Sequence, residues 1–404
     1  MDFNDSAGLP ASTIPAHVPP SLVRQYDWMD MQGETETAAH FLKMDALPDV
    51  FWTPYYGGHW VATRYKEMEY IYTHAGEFSS RHATLPVSPF QIPLQEYDGE
   101  AHRLFRGIVQ PFFTPKHIFD LEKTARKLTI DLIDGFYARG HCEFISEFAQ
   151  QMPIVILMSL LGLPAEDRDY LMPLSESITR FEKYEDKIAG LMKIAQYTGE
   201  KIIPARRAKP GPDIFSAVLA AQAGGAPITD QEIMGLGALL IAAGLDTVAS
   251  MLGFITAHLA QHPEQRRELV ENPALITEAM EEMLRRYSLA NMCRQVTKDM
   301  EFGGAPLKAG DLMLVPLSRA GLDPAKYDHP EVVDFHRASK INITFGRGAH
   351  QCIGAFLART ELRVFLQEWL QRIPEFEIKP GFEVKAKVGS ANALHALEIV
   401  WKPV

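Results

Sequence analysis

The stretch Phe345-Gly346-Arg347-Gly348-Ala349-His350-Gln351-Cys352-Ile353-Gly354 decides how the rest of the chain is read. It crowds three glycines, a histidine and one cysteine into ten residues, directly before an expected helix from Ala355 to Leu370. Glycine lets a backbone turn tightly and approach a flat ligand without side-chain clash. A cysteine at a helix mouth meets unpaired N–H groups and the positive end of the helix dipole, which favour its thiolate. Such a thiolate is either a nucleophile or a metal ligand.

Working outward, composition bounds the choice. The chain has 404 residues, 47% apolar and 23% charged, the balance of an ordinary globular protein. Its formal net charge of −11 argues against a nucleic-acid surface. Met1 to Pro20 carries no basic-then-apolar leader signature. The most apolar segment, Met234 to Leu245, is short and runs into Asp246, so no bilayer span is expected, and a soluble cytoplasmic protein is. Three scattered cysteines fit neither a disulfide framework nor a closed zinc site. Cys142 and Cys293 read as small buried thiols. Cys352 does not.

The pattern predicts a mainly α chain with a smaller β portion at both ends, one domain over 1–404, after an irregular lead-in at 1–40. Trp60–Tyr65 reads as a strand, and a helix is expected from Lys66 to Ala75. Arg81 to Asp98, with three prolines, reads as a long loop. Helices are expected near Pro115–Tyr137, Phe148–Leu163, Glu166–Arg180, Tyr184–Ala208 and Pro273–Tyr287. The capping box at Thr229 and Glu232 opens a helix to about Gln261, long enough to cross the molecule. Short β pieces follow at Gln295–Phe302 and Leu312–Leu317, and the tail from Phe376 alternates like β-hairpins.

Three further motifs carry chemistry, each beside a plainer reading. Ala242-Ala243-Gly244-Leu245-Asp246-Thr247 puts a glycine, an acid and a hydroxyl inside an apolar helix, where each costs stability. It is either a kinked, solvated patch or a cleared space with a proton relay beside it. Glu282 and Arg285, at i and i+3, are ordinarily a surface ion pair, and Arg337 offers a third member for a buried network. His102 and Arg106 share a helix face, solvated by default, or forming a carboxylate clamp.

Together and in this order, these motifs resemble the cytochrome P450 family of heme-thiolate monooxygenases. The signature Phe345-Gly-x-Gly-x-His350-x-Cys352-x-Gly354 is the most specific element, with Ala243-Gly244-x-Asp246-Thr247 and Glu282-x-x-Arg285 upstream. Arg206 to Gly211, Leu284 to Leu289 and Trp369 to Pro374 look like the bacterial camphor-hydroxylase branch. The resemblance implies a P450 fold with the long central helix over a buried heme b, its iron ligated by the Cys352 thiolate. Phe345 would pack by the sulfur, with Gly346, Gly348 and Gly354 under the porphyrin. His102, Arg106, Arg294 and His350 would pair with the propionates. Glu282, Arg285 and Arg337 would support the cysteine loop, and Asp246 and Thr247 would deliver protons to dioxygen.

The departures from the camphor enzyme concern substrate. Phe90 stands where that enzyme offers a tyrosine hydroxyl, with Tyr97 nearby, and Met292 and Ala290 replace an aspartate and a valine. Leu239, Ala242, Ala243, Ser390 and Ala391 complete a pocket expected to be greasier and roomier. The implied reaction is hydroxylation of an unactivated C–H bond in a terpenoid or norisoprenoid-like molecule other than camphor, using O2. No flavin or nicotinamide fingerprint is present, so two electrons would come from an iron–sulfur ferredoxin, with its reductase. It would dock near Arg103, Arg106, Lys340, Arg347 and Arg359. Rival readings are a peroxygenase or isomerase on the same fold, which needs no Asp246-Thr247 relay, and a heme gas-binding protein without turnover. A cysteine nucleophile without heme predicts a colourless protein.

Overall fold

A computed structural model describes residues 13–31, 33, 35–88, 90–179 and 184–403. Apolar periodicity builds two bodies of structure. The larger is helical and packs around the segment Asp230–Gln261. The smaller packs helices and turns against a sheet of five strands, in the order Val50–Thr53, His59–Ala62, Leu312–Pro316, Asn291–Val296, Phe78–Ser79. The central strands His59–Ala62 and Leu312–Pro316 are mostly apolar and buried along almost their whole length because both faces are covered. Trp52 lies opposite Trp60, and Leu314 opposite Cys293.

The lead-in is more ordered than expected. Within its described part, Arg24 N donates to Trp52 O at 2.8 Å and Thr37–Leu42 is helical, so this segment docks on the edge of the sheet. The predicted strand ends at Ala62, because Asp323 accepts the Tyr65 N–H at 2.6 Å and starts the helix Tyr65–Thr73 there. The expected helix from Glu166 runs Arg168–Thr179, and its predicted end at Arg180 lies outside the described residues. Tyr184–Ala208 forms as Tyr184–Tyr197 and Ile203–Ala208, joined by a wide helical turn at Thr198–Ile202. The tail is not made of hairpins alone: Glu377–Ile378 and Glu398–Val400 form a sheet with His141–Glu143.

Two differences bear on the site. The long helix is Asp230–Leu245 followed by Thr247–Gln261, interrupted at Asp246 (φ −109°, ψ −16°). The Thr247 hydroxyl donates to Ala243 O at 2.9 Å, taking a carbonyl that the helical ladder would otherwise use. The combined 32-residue helix is also long and apolar enough to cross a membrane, contrary to the reading that stopped at Asp246. Its most apolar window is 78% buried inside the protein, so the apolarity serves the core.

The helix Ala355–Arg372 carries the residues after Cys352 and lies against Pro115–Tyr137. Arg363 bonds Glu122 at 3.0 Å, and Trp369 packs edge-on to Phe144 at 5.1 Å and to Phe148 at 5.5 Å. This aromatic cluster fixes the helix whose N-terminus sets the cysteine.

Candidate functional site

The cysteine loop is wound by its glycines. Gly346 and Gly348 both sit at φ +69°, a left-handed conformation that side chains resist. A Cβ on Gly348 would also lie 2.5 Å from Tyr72 O. The loop closes through Cys352 N to Phe345 O at 2.8 Å and Gly346 N to Ile343 O at 2.8 Å. Cys142 and Cys293 are buried in the core, whereas the Cys352 side chain opens onto an internal cavity of about 430 Å³. Its distance from bulk water pushes the thiol pKa up, opposed by the N–H groups of Gly354 and Ala355 and by Arg106 and Arg359. Arg359 stacks over the Phe345 ring at 4.5 Å, fixing the aromatic residue of the loop.

Thr247, Ala243 and Gly244 border the same cavity from the interrupted helix. Gly244 is closely approached: a Cβ there would meet Leu157 Cδ1 at 2.7 Å, so that side chain would have to shift to admit one. Asp246 does not line the cavity; it is buried at 3% exposure, with Ser250 Oγ 3.5 Å from its carboxylate.

A polar rim borders the cavity through Arg106, Arg294, His350 and Tyr72. Arg294 is buried at 5%, lies 4.9 Å over the Tyr72 ring and has no carboxylate partner among the described residues. Tyr72 Oη and His102 Nε2 are buried without a hydrogen-bond partner. The rings of His102 and His350 lie 4.0 Å apart. Burial, followed by His350 and Arg106, lowers the His102 pKa to about 4. Two guanidiniums without a carboxylate partner among the described residues, Arg106 and Arg294, beside the unpartnered Tyr72 Oη and His102 Nε2, suit an anion in the cavity. These residues fit a flat, apolar cofactor with carboxylate arms and an iron facing Cys352. His350 also has an acid of its own, Asp98, at 3.4 Å, and Arg106 donates to Gln351 O at 2.7 Å.

Behind the loop, Glu282 and Arg285 pair at 2.8 Å with neither side chain exposed, and Arg337 Nε reaches Glu282 at 3.0 Å. Arg285 also donates to Pro330 O at 2.8 Å and Val332 O at 2.9 Å, tying the segment before the cysteine loop to this helix.

Of the pocket residues read from sequence, Leu239, Ala242, Ala243, Ala290, Met292, Ser390 and Ala391 border the cavity. Phe90 does not; it packs on the main core, and Thr84, Ser88, Ile92 and Leu94 face the cavity from its loop instead. Counting residues back from Arg106 misplaces it because the loop makes its own turns, with Ser88 Oγ donating to Phe90 O at 2.8 Å. Three of the four cations expected on an open basic face beyond Arg106 are already paired. Arg347 meets Glu69 at 3.1 Å, Lys340 meets Glu278 at 3.3 Å and Arg359 meets Glu281 at 2.5 Å. Exposed Arg103 has no such partner among the described residues.

Sequence reasoning passed over Tyr72, Lys187 and Glu361, which all border the cavity. Lys187 had a signal, since Tyr184, Lys187, Ile188 and Leu191 follow the spacing of one helix face and only Lys187 is charged. Tyr72 had none.

Comparison with known proteins gives one consistent answer. The family described as "Cytochrome P450" matches residues 169–395. A Sinorhizobium fredii protein named "Probable cytochrome P450 127A1" is 32% identical over 96% of this chain and 97% of its own length. A Streptomyces fradiae enzyme, 20-oxo-5-O-mycaminosyltylactone 23-monooxygenase, is 33% identical over 78% of this chain and 79% of its own. Among solved structures, CYP101J2 superposes with a TM-score of 0.88 at 33% identity, over 97% of this chain and 100% of that one. CYP101C1 does so with a TM-score of 0.87 at 34% identity, over 96% and 100%.

Proposed function

The chain belongs to the cytochrome P450 family, and on that premise we propose that it hydroxylates a C–H bond of a small terpenoid or norisoprenoid-like molecule, with electrons from a ferredoxin. It is a monooxygenase whose cofactor is heme with a cysteine thiolate as axial ligand. Heme so ligated supplies the activation of O2, placing one oxygen atom in a C–H bond while the other leaves as water.

The chain's own residues define the remaining roles. One observation supports the reading above all: Cys352, at the helix mouth, and Thr247, at the helix interruption, face one largely apolar cavity. Leu239, Ala290 and Met292 confine an apolar substrate there and exclude bulk water. Thr247 Oγ1 holds a hydroxyl at the cavity surface, and buried Asp246 beside it is the group that passes protons inward. Arg294, Arg106, His102 and Tyr72 would hold the cofactor's carboxylates. The proposed enzyme is cytoplasmic. Its ferredoxin meets Arg103 first, and its acids compete with Glu69, Glu278 and Glu281 for Arg347, Lys340 and Arg359.

The test is a terpenoid panel titrated into the holoenzyme, scored by the low-to-high spin shift and by product with a ferredoxin system. Camphor is expected to bind and turn over weakly. Tight camphor binding with efficient hydroxylation would overturn the substrate class.

A further inference from the structure

Three segments far apart in the chain meet in one wall of the cavity: Ala290 and Met292, Leu317, and Ser390 with Ala391. Main-chain bonds join them, Leu317 N to Ala290 O at 2.9 Å, Asn291 N to Ser390 O at 2.9 Å and Asn392 N to Leu289 O at 3.0 Å. The contact of Ala290 with Ala391 is an isolated bridge with no ladder to extend it. Each segment also carries one polar side chain that does not border the cavity: Asn291, Ser318 and Asn392, at 1%, 3% and 1% exposure. Strand alternation explains the first, since Met292 and Arg294 face the cavity and Asn291 faces the other way.

The three side chains close a triangle of hydrogen bonds behind that wall. Asn392 Nδ2 donates to Ser318 Oγ at 2.7 Å, and Asn291 Nδ2 donates to Asn392 Oδ1 at 3.0 Å. The Ser318 hydroxyl shares its one proton between Ser288 O at 2.8 Å and Asn291 Oδ1 at 3.2 Å. The second Nδ2 proton of Asn291 goes to Gly389 O at 2.7 Å, one residue before Ser390. The sides of the triangle span 27, 74 and 101 positions of sequence, so it ties together segments with no local connection. A buried polar network whose donors are used makes the surfaces it joins rigid, and losing one member leaves the others unpaired.

We propose that Asn291, Ser318 and Asn392 are positioning residues: their triangle fixes the three wall segments against one another and so sets which substrate carbon is presented for oxidation. None of them borders the cavity; they act through Ala290, Met292, Leu317 and Ala391 in front of them. This rests on the monooxygenase reading but not on the terpenoid one, because the clasp shapes the wall for any occupant. A displacement of about 1 Å at a reacting position can change a rate about a hundredfold, so a loosened wall suffices to redirect oxidation.

The experiment uses the holoenzyme of wild type, Ser318→Ala, Asn392→Ala and the double variant. Imidazole and 4-phenylimidazole, which ligate heme iron from the cavity, are titrated optically, and the products from a norisoprenoid ketone are separated. Each single variant is expected to change the phenylimidazole-to-imidazole affinity ratio about tenfold, a size typical of pocket reshaping, and to spread product over further carbons. The double variant should fall well short of the sum of the two, because both single variants remove the Asn392–Ser318 bond. Thr129→Ala is the control: Thr129 is fully buried, does not border the cavity and donates to Ala125 O at 2.8 Å, so stability should fall while the ratio stays. Ser318→Ala removes a single oxygen atom and decides the matter by itself if the asparagine variant does not fold. An unchanged ratio in Ser318→Ala, additive effects of the two substitutions, or an equal change in Thr129→Ala overturns the proposal. If the azole ratio responds while no terpenoid ketone is oxidised, the clasp stands and the terpenoid reading falls.

Discussion

The Thr247 hydroxyl donates to the Ala243 carbonyl at 2.9 Å, across the residue where the long helix is interrupted. A side chain thus occupies the acceptor, and the Asp246 region is held open beside the cavity instead of closing into regular helix.

Thr247→Ala removes that bond and the only hydroxyl of the motif. Coupling is the expected casualty: product per electron pair should fall about tenfold or more, while reductant consumption and substrate binding persist. Product and reductant use measured in parallel decide it. Unchanged coupling would discard the relay assignment.

Cys352→Ala should abolish the strongly red-shifted Soret band of the reduced CO complex, because only a thiolate ligand produces it. Cys142→Ala and Cys293→Ala, at buried positions away from the cavity, should leave the band in place. Optical spectra of the three variants provide the check.

Glu282→Ala leaves the guanidiniums of Arg285 and Arg337 without the carboxylate they share. Removing one partner of a pair with neither side chain exposed costs about 3–5 kcal/mol. Denaturant unfolding should show that loss, with poor heme retention because the same arginines carry the segment before the cysteine loop.

Gly348→Ala should cost about 1–2 kcal/mol for the left-handed backbone alone, with the contact against Tyr72 O added to it. Gly304 (φ +78°) has open space around it, so Gly304→Ala isolates the backbone part. Unfolding midpoints of both variants separate strain from clash, and only Gly348→Ala should impair heme uptake.

Glu361 is buried at 2%, and loss of hydration holds its carboxyl well above its ordinary value of 4.5. Below that value both folded and unfolded states are protonated. Above it the unfolded chain ionises first, so this group's contribution falls as pH rises toward the folded pKa. Glu361→Gln should therefore gain on wild type with increasing pH, by at most about 1.4 kcal/mol per unit. Unfolding free energies at pH 5, 6, 7 and 8 test the sign; a difference that shrinks with pH would contradict it.

Much of this protein is written locally. Three glycines and a cysteine before a helical run carry their own geometry, since left-handed turns and a helix mouth are properties of neighbouring residues. Capping at Thr229 and Glu232 and the apolar length beyond it were equally legible. What the sequence alone determined was thus the family, the cofactor ligand and the helix that faces it. Other features depend on residues far apart in the chain. The pairing of Lys187 with Ser390 spans 203 positions, and that of Arg337 with Glu282 spans 55. Phe90 left the cavity and Tyr72 entered it because loop turns, and the packing of the helix Tyr65–Thr73 against the cysteine loop, set where side chains point. Only the tertiary structure decided those placements, because burial and long-range hydrogen bonds act between surfaces that exist only after the chain has packed.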